Sequence, residues 1–208
     1  MLVKVCGMRD AENILDLIKL EPDYLGFIFY KKSKRFVTNF PEVEIPSKIK
    51  KVGVFVNETI DNIIEIMEKH QLEAVQLHGD ESPEYCEELK VLLIRKVEIL
   101  KAFSVDDYFD FSNTNAYEKV CDYFLFDTKG KDYGGNGVKF NWQVLEKYKG
   151  KIPFLLSGGI SKNDSKAILS FLHRKESNKC IGIDINSGFE IEAALKNIED
   201  IKEFKQNL

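Results

Sequence analysis

Residues 51–67 read KVGVFVNETIDNIIEIM and contain two different hydrophobic periods. Residues 51–56 form a nearly continuous apolar run, which is typical of a parallel strand buried on both faces. The apolar residues that follow recur at i, i+3, i+4 and i+7, as Ile60, Ile63, Ile64 and Met67. That spacing predicts an amphipathic helix lying on a sheet, with Asn57 as a candidate N-cap. The stretch therefore predicts one strand followed by one helix.

Strand-like segments of this kind recur eight times along the chain. They are Leu2–Cys6, Tyr24–Phe29, Lys51–Val56, Ala74–Leu77, Glu98–Phe103, Tyr123–Asp127, Pro153–Ser157 and Ile181–Ile185. Strands that alternate with helices predict an α/β fold with a parallel sheet. Eight units favour a closed (β/α)8 TIM barrel over an open doubly wound sheet, although periodicity alone leaves closure open.

Helical stripes between the strands complete the pattern. They are Ile14, Leu17 and Ile18; Ile168, Phe171 and Leu172; and Ile191, Ala194, Leu195, Ile198 and Ile201. Ser82 followed by Pro83 is typical of an N-cap and a first helical residue. The helix after the second strand is predicted to be weak because the stretch Phe40–Lys50 contains two prolines. The fifth unit, Lys90–Lys101, can be divided between helix and strand in more than one way.

Length and composition limit the class of protein. The 208 residues suit one barrel domain spanning 1–208, and a net charge of −4 does not favour nucleic acid as a partner. The opening apolar run is too short for a signal peptide or a membrane span, so the expected location is the cytoplasm. The cysteines form no C-x-x-C pair, which argues against a zinc site or a disulfide framework; they are Cys6, Cys86, Cys121 and Cys180.

Candidate chemistry lies where polar residues end a strand, because barrel active sites form at the carboxyl ends of the strands. Cys6, just before Gly7, is a candidate base if nearby N–H groups or cations lower its pKa; the alternative is a buried small hydrophobe. Asp127 ends a very apolar strand and is a candidate general acid whose proton is retained by apolar surroundings. The alternative for Asp127 is an N-cap or a loop carboxylate.

Two glycine-containing loops are candidate phosphate sites, since glycine lets backbone N–H groups approach an anion. They follow the seventh and eighth strands, where many barrels bind phosphate. The alternative is that each glycine only satisfies a positive φ. The candidate phosphate-binding residues are Gly158, Gly159, Asn186, Ser187 and Gly188.

Other polar residues at the same rim are less specific. Arg35 lies in a basic loop that is ordinarily a solvated face, but arginine can also bind a substrate carboxylate in a bidentate manner. His78 is interpreted as a packed or rim-lining histidine, and Trp142 as packing the sixth helix onto the barrel. Asp184 ends the eighth strand.

Nine motifs, in order along almost the whole chain, resemble those of the phosphoribosylanthranilate isomerase family. They are Val3–Met8, Leu25–Phe29, Ser33–Val37, Val52–Asn57, Val75–Glu81, Leu125–Thr128, Gly134–Gly137 with Phe140–Trp142, Ser157–Gly159 and Asp184–Glu190. The sequence departs from common family residues at Met8, Arg9, Asn136, Asn141 and Asn186.

The resemblance implies an Amadori rearrangement of N-(5-phosphoribosyl)anthranilate in tryptophan biosynthesis, without a metal or a redox cofactor. It implies that Cys6 is the base, Asp127 the acid and Arg35 the carboxylate-binding residue, while Asp184 contacts a sugar hydroxyl. The partner is a small phosphorylated substrate, with neither nucleic acid nor membrane, and the enzyme is a monomer or a homodimer. The alternatives are a histidine-pathway type of phosphate-barrel isomerase and a non-catalytic ligand-binding barrel. The sequence does not determine whether the loop Lys129–Gly137 closes over substrate.

Overall fold

A computed structural model describes residues 1–128 and 141–208 and confirms the predicted TIM barrel. Eight parallel strands pair in sequence order, and the eighth pairs with the first, so the sheet is closed. The strands are β1 Leu2–Cys6, β2 Tyr24–Ile28, β3 Lys50–Phe55, β4 Ala74–Leu77, β5 Glu98–Val105, β6 Tyr123–Thr128, β7 Phe154–Leu156 and β8 Cys180–Ile185. Every predicted strand is present, and no strand end differs by more than two residues.

Alternate residues of each strand point into the barrel, since side chains alternate between the two faces of a strand. The apolar residues packed inside the barrel are Tyr24, Val52, Ala74, Leu100, Ala102, Leu125 and Leu155. Two residues further along β4 and β6, the inward residues are Gln76 and Asp127. The interior therefore changes from apolar to polar toward the carboxyl ends of the strands.

Five α-helices cover the outside of the described barrel. They are α1 Ala11–Ile18, α2 Ile60–Lys69, α3 Pro83–Leu92, α4 Ser165–Leu172 and α5 Ile198–Gln206. The predicted stripes are confirmed in α1, α2 and α4, which bury Ile14 and Leu17, Ile63 and Met67, and Ile168 and Phe171. Ser82 caps α3 by accepting the N–H of Tyr85, with Pro83 at the first position, as predicted.

The prediction that Asn57 caps α2 is wrong. Thr59 is the N-cap, and its hydroxyl accepts the N–H of Asn62. Asn57 instead has a positive φ of 49°, and its Oδ1 accepts the N–H of Asp80 at 2.7 Å. Asn57 therefore joins the loop after β3 to the loop after β4, which sequence spacing alone does not reveal.

The outer layer is irregular in two regions. No helix forms between β2 and β3, all of which is described, and Phe40 covers this side by packing on Phe27 and on the His70 ring, with ring centroids 4.7 and 4.3 Å apart. Short 3₁₀ segments, Phe111–Tyr117 and Trp142–Lys147, follow β5 and β6. Trp142 packs partly buried against the main core, and its ring lies 6.5 Å from that of Phe171 in α4.

The C-terminal helical stripe is correct only in its second half. Residues Glu190–Glu192 and Leu195–Lys196 form a small antiparallel hairpin, β9 and β10, and α5 begins only after Asn197 caps it. Ala194 has a φ of 70°, which no helix tolerates, and its N–H donates to Glu190 Oε1. The buried contacts of Glu190 and Lys196 override the local helical period here.

In the described ranges, no helix combines the length and the apolar content that crossing a membrane would require.

Candidate active site

Cys6 lies at the carboxyl end of β1 with its side chain inside the barrel. It packs on Ile28 and Val54, which point inward from β2 and β3. Gly26 is its partner in the β1–β2 register, and a Cβ at Gly26 would lie only 2.8 Å from the sulfur of Cys6. The thiol therefore occupies space that exists because the neighbouring strand has no side chain at this position.

Charged groups surround this buried thiol. Burial raises the pKa of the Cys6 thiol above its usual value, while the ammonium groups of Lys4 and Lys196 lower it and Asp184 raises it further. The sequence interpretation required N–H groups or cations that lower the pKa of Cys6. These two lysines act in that direction, but burial outweighs them and the pKa stays above its usual value. Neither lysine was recognised from the sequence as part of a site.

Asp184 shares the barrel interior with Cys6. Its Oδ1 accepts the ammonium of Lys4 at 2.8 Å, and both groups are buried. Its Oδ2 accepts the hydroxyl of Ser157 at 3.3 Å. Each carboxylate oxygen retains a second lone pair, so Asp184 can still accept a hydrogen bond from a ligand hydroxyl.

Asp127 lies at the end of β6, also pointing inward, and its surroundings are more polar than its apolar strand suggests. Its Oδ1 accepts the N–H of Thr128 at 2.9 Å, and its Oδ2 lies 3.3 Å from Nε2 of His78. The Nε2 amide of Gln76 lies 2.7 Å from the other ring nitrogen of His78. When that amide donates to Nδ1, the ring proton is on Nε2 and faces Asp127. His78 therefore does more than line the rim, contrary to the preferred sequence interpretation.

Gln76, which belongs to the Val75–Glu81 motif, carries a buried polar atom that the sequence did not single out. Its Oε1 atom is buried in the barrel and has no hydrogen-bond partner within the described ranges. A buried acceptor without a donor costs free energy, and such groups in native proteins often mark places where water or a ligand binds. The atom lies on the inward face of β4, and β5 separates this strand from β6, which carries Asp127.

Arg35, in the loop after β2, pairs with Glu190 of β9. Its Nε and Nη2 donate to the two carboxylate oxygens of Glu190 at 2.8 and 2.6 Å. These bonds hold the pKa of Glu190 below its ordinary range against the effect of burial. The Nη1 group makes no hydrogen bond to a described residue, and the side chain is 14% exposed. One edge of the guanidinium is thus fixed, and the other is available to an anion.

The loops after β7 and β8 are packed directly on each other. Gly158 and Gly159 have φ values of 91° and 62°, and a Cβ at Gly158 would lie 2.1 Å from the hydroxyl of Thr128. A Cβ at Gly188 would lie 2.1 Å from the carbonyl oxygen of Ile160. Positive φ explains two of these glycines, as the alternative interpretation held, but the close approach of the loops also requires glycine. Successive N–H groups in such conformations can face an anion together.

Asn186 and Ser187 belong to the second of these loops. Asn186 precedes a short 3₁₀ turn, Ser187–Phe189, and its Oδ1 accepts the ammonium of Lys196 at 2.8 Å. The structure thus brings both candidate phosphate loops to the rim that holds Cys6 and Asp127. The loop Lys129–Gly137 and the motif Gly134–Gly137 lie outside the described residues, and Asn136 and Phe140 lie outside them as well.

Taken together, the carboxyl rim holds a thiol, a carboxyl with a histidine beside it, and an arginine with one free edge. Such a set can donate and accept protons next to a bound anion. Among the residues that the structure describes, no group of His, Cys, Asp or Glu is arranged to hold a metal ion.

Comparison with known proteins identifies one family. The model of the family N-(5'-phosphoribosyl)anthranilate (PRA) isomerase matches residues 3–207. A relative of that name from Parabacteroides distasonis is 46% identical over 213 residues, covering 100% of this chain and 93% of the relative. The crystal structure of phosphoribosyl anthranilate isomerase from Thermotoga maritima has a TM-score of 0.85 at 32% identity, covering 100% of this chain and 98% of that one. A further isomerase structure, in complex with reduced 1-(o-carboxyphenylamino)-1-deoxyribulose 5-phosphate, has a TM-score of 0.78 at 29% identity, with the same coverage.

Proposed function

The chain belongs to the N-(5'-phosphoribosyl)anthranilate isomerase family, and from this premise we propose that Cys6 and Asp127 carry the two proton transfers of its reaction. It is an isomerase of tryptophan biosynthesis that acts on a small phosphorylated substrate. The reaction converts N-(5-phosphoribosyl)anthranilate to 1-(2-carboxyphenylamino)-1-deoxyribulose 5-phosphate. The observation that carries the proposal is that the thiol and the carboxyl both point into the barrel at the rim where the glycine loops meet.

Asp127 is the general acid in this proposal. It donates a proton to the ribose ring oxygen as the C1–O bond breaks, and the nitrogen lone pair forms the iminium. The carboxylate that remains accepts a hydrogen bond from Thr128 N–H and has the Nε2 donor of His78 3.3 Å from its Oδ2. Hydrogen bonds to a carboxylate favour its charged form, so these donors stabilise the product of the proton transfer.

Cys6 is the base. Its thiolate takes the proton from C2 of the iminium, which gives the enolamine, and tautomerisation of the enolamine gives the ketose product. Only the thiolate can accept this proton. The cations beside the sulfur, Lys4 and Lys196, favour that form.

Arg35 and the loops would orient the substrate. The Nη1 edge of Arg35 is available for the anthranilate carboxylate, while Glu190 keeps the guanidinium in place. The backbone N–H groups of Gly158, Gly159, Ser187 and Gly188, with Asn186 beside them, would bind the phosphate. Asp184 would accept a hydrogen bond from a sugar hydroxyl.

The decay of anthranilate fluorescence as substrate is consumed measures the activity. Cys6→Ser and Asp127→Asn should each lower kcat by about 10²–10⁴ with a smaller change in KM, because each removes a proton-transfer group. Cys180→Ser, at the opposite end of β8, is the matched control and should keep kcat. Near-normal turnover of Cys6→Ser would assign the base to another group. Arg35→Met should act mainly on KM, and an unchanged KM would exclude the carboxylate contact.

The remaining parts of the proposal concern the whole molecule. The chain acts as one catalytic domain spanning residues 1–208, as a monomer or a homodimer, in the cytoplasm where amino-acid biosynthesis takes place. Sedimentation at micromolar concentration distinguishes the two oligomeric states.

A further inference from the structure

One buried carboxylate beside the site, that of Glu190, is paired with two cations. Glu190 accepts hydrogen bonds from Nε and Nη2 of Arg35 and, at 2.6 Å, from the ammonium of Lys196. Lys196 also donates to Asn186 Oδ1 at 2.8 Å, and its side chain is completely buried. We call Arg35, Glu190 and Lys196 the Glu190 cluster. Its formal charge is positive, because one carboxylate cannot neutralise both cations.

The neighbouring charges do not cancel this excess. Lys4 and Asp184 form a buried pair of their own, which is neutral as a whole. Among the described groups, the three cations Lys4, Arg35 and Lys196 and the carboxylate Asp184 interact electrostatically with Cys6. The one further carboxylate is Glu190, which is paired with Arg35 and Lys196, so the cations outnumber the carboxylates by three to two. A buried charge without a counter-charge is costly, so the site favours one more negative charge.

Cys6 is the described group that can supply this charge within the protein. Its sulfur is buried, so solvent screens little of its interaction with the ammonium of Lys196. The residue after Cys6 lies beside the contacts of Lys196. A Cβ at Gly7 would be 2.8 Å from Asn186 Oδ1, which is the atom that accepts the ammonium of Lys196. No substrate is needed for this arrangement, since both groups belong to the chain.

We propose that Lys196 is a positioning residue for the catalytic base: its ammonium, held by Glu190 and Asn186, stabilises the thiolate form of Cys6. The inference rests on the proposed function in that Cys6 is taken as the base. Lys196 would act through Cys6 and would not itself touch the reacting atoms. Lys4 also favours the thiolate, but its ammonium is paired with Asp184, whose charge acts on the sulfur in the opposite direction.

Alkylation of Cys6 by iodoacetamide, without substrate, tests the proposal directly. Only the thiolate reacts, so the rate as a function of pH reports the pKa of Cys6, and peptide mass spectrometry separates Cys6 from the other thiols. Lys196→Gln should raise the pH midpoint by about one unit, which is a roughly tenfold slower reaction below the midpoint. The rise of kcat/KM with pH should shift in the same direction, and activity should recover at high pH.

Glu190→Gln gives the opposite prediction. It removes a negative charge from the Glu190 cluster, so the Cys6 midpoint should fall and alkylation at neutral pH should become faster. A general disturbance of packing would shift both variants in the same direction, whereas an electrostatic role separates them. The control is Lys50→Gln, which changes the net charge equally at the amino end of β3 and should leave the midpoint unchanged.

An unchanged midpoint in folded Lys196→Gln would overturn the proposal, and so would midpoints that move the same way in both variants. If Lys196→Gln does not fold, Glu190→Gln decides alone, and a midpoint that does not fall overturns the proposal. Failure of the proposed function is a separate result: Cys6→Ser would keep its turnover, while the alkylation midpoints could still shift as expected.

Discussion

Gly26→Ala should inactivate the enzyme by moving one sulfur atom. Gly26 pairs with Cys6 across β1 and β2, and an added Cβ would lie 2.8 Å from the sulfur and 3.1 Å from the Cα of Cys6. Non-bonded heavy atoms in ordinary contact are about 3.5–4.0 Å apart, so the thiol must move by roughly 1 Å. A displacement of about 1 Å in a reacting group can cost about 10²-fold in rate. We therefore expect kcat to fall about 10²-fold.

Gly53→Ala is a matched control on the adjacent strand. Its Cβ would meet the side chains of Phe55 and Leu72 at 2.7 and 2.8 Å, away from Cys6. Both substitutions overpack the barrel by one methyl group and should lower the free energy of unfolding by about 1–3 kcal/mol. Only Gly26→Ala moves the thiol, so Gly53→Ala should keep kcat within about twofold of the unmodified enzyme.

The assay is the decay of anthranilate fluorescence under saturating substrate, with urea denaturation measured on the same preparations. KM of Gly26→Ala should change less than kcat, because the glycine loops after β7 and β8 are unaltered. A kcat for folded Gly26→Ala that stays within twofold would refute the reasoning. Equal losses of kcat in the two variants would also refute it, because the effect would then come from stability rather than from the position of the sulfur.

Three further predictions address other parts of the structure. His78→Asn should lower kcat about tenfold with little change in KM, because the charged form of Asp127 loses the ring nitrogen that lies 3.3 Å from its Oδ2; unchanged initial rates would return His78 to a rim-lining role. Lys101→Met should lower the free energy of unfolding by about 3–5 kcal/mol in urea denaturation, because Glu81 would stay buried without its cation; a loss below about 1 kcal/mol would contradict this. Burial raises the pKa of Cys180 to about 12, so the unfolded chain releases this proton from about pH 8.5, well before the folded chain does. Stability should therefore fall across that window, and Cys180→Ala should show a smaller fall in urea midpoint between about pH 8 and pH 11; equal falls would contradict the assignment.

The strands were predictable from sequence because burial on both faces leaves a signal in every residue of the strand. The outer layer was less predictable from sequence, because apolar residues can fall at helical spacing in a segment that does not form a helix. Ile191 fits such a stripe, yet it is 69% exposed in the hairpin that replaces the first turn. The hairpin forms because Glu190 and Lys196 are buried and paired, and a local pattern cannot contain that information.

The residues of the candidate site also differ in how far the sequence could predict them. Cys6, Asp127 and the glycine loops could be selected because each ends a strand and closure brings strand ends together. His78 could not be paired with Asp127, since β5 separates their strands and 49 positions separate them in the chain. Lys196 gave no signal, because its importance comes from sharing Glu190 with Arg35.

Lys4 and Asp184 carry information about closure that sequence reasoning can use. Each is a charged residue at an inward position of an apolar strand, where an unpaired charge would cost several kcal/mol. They are directly opposite in the register of β1 and β8, the seam where the first and last strands meet. A slip of one residue would turn one of them toward the helices and leave the other unpaired inside the barrel. The pair therefore penalises every wrong closure of the sheet. The register that it selects is also the one that brings Cys6 to the rim beside Asn186.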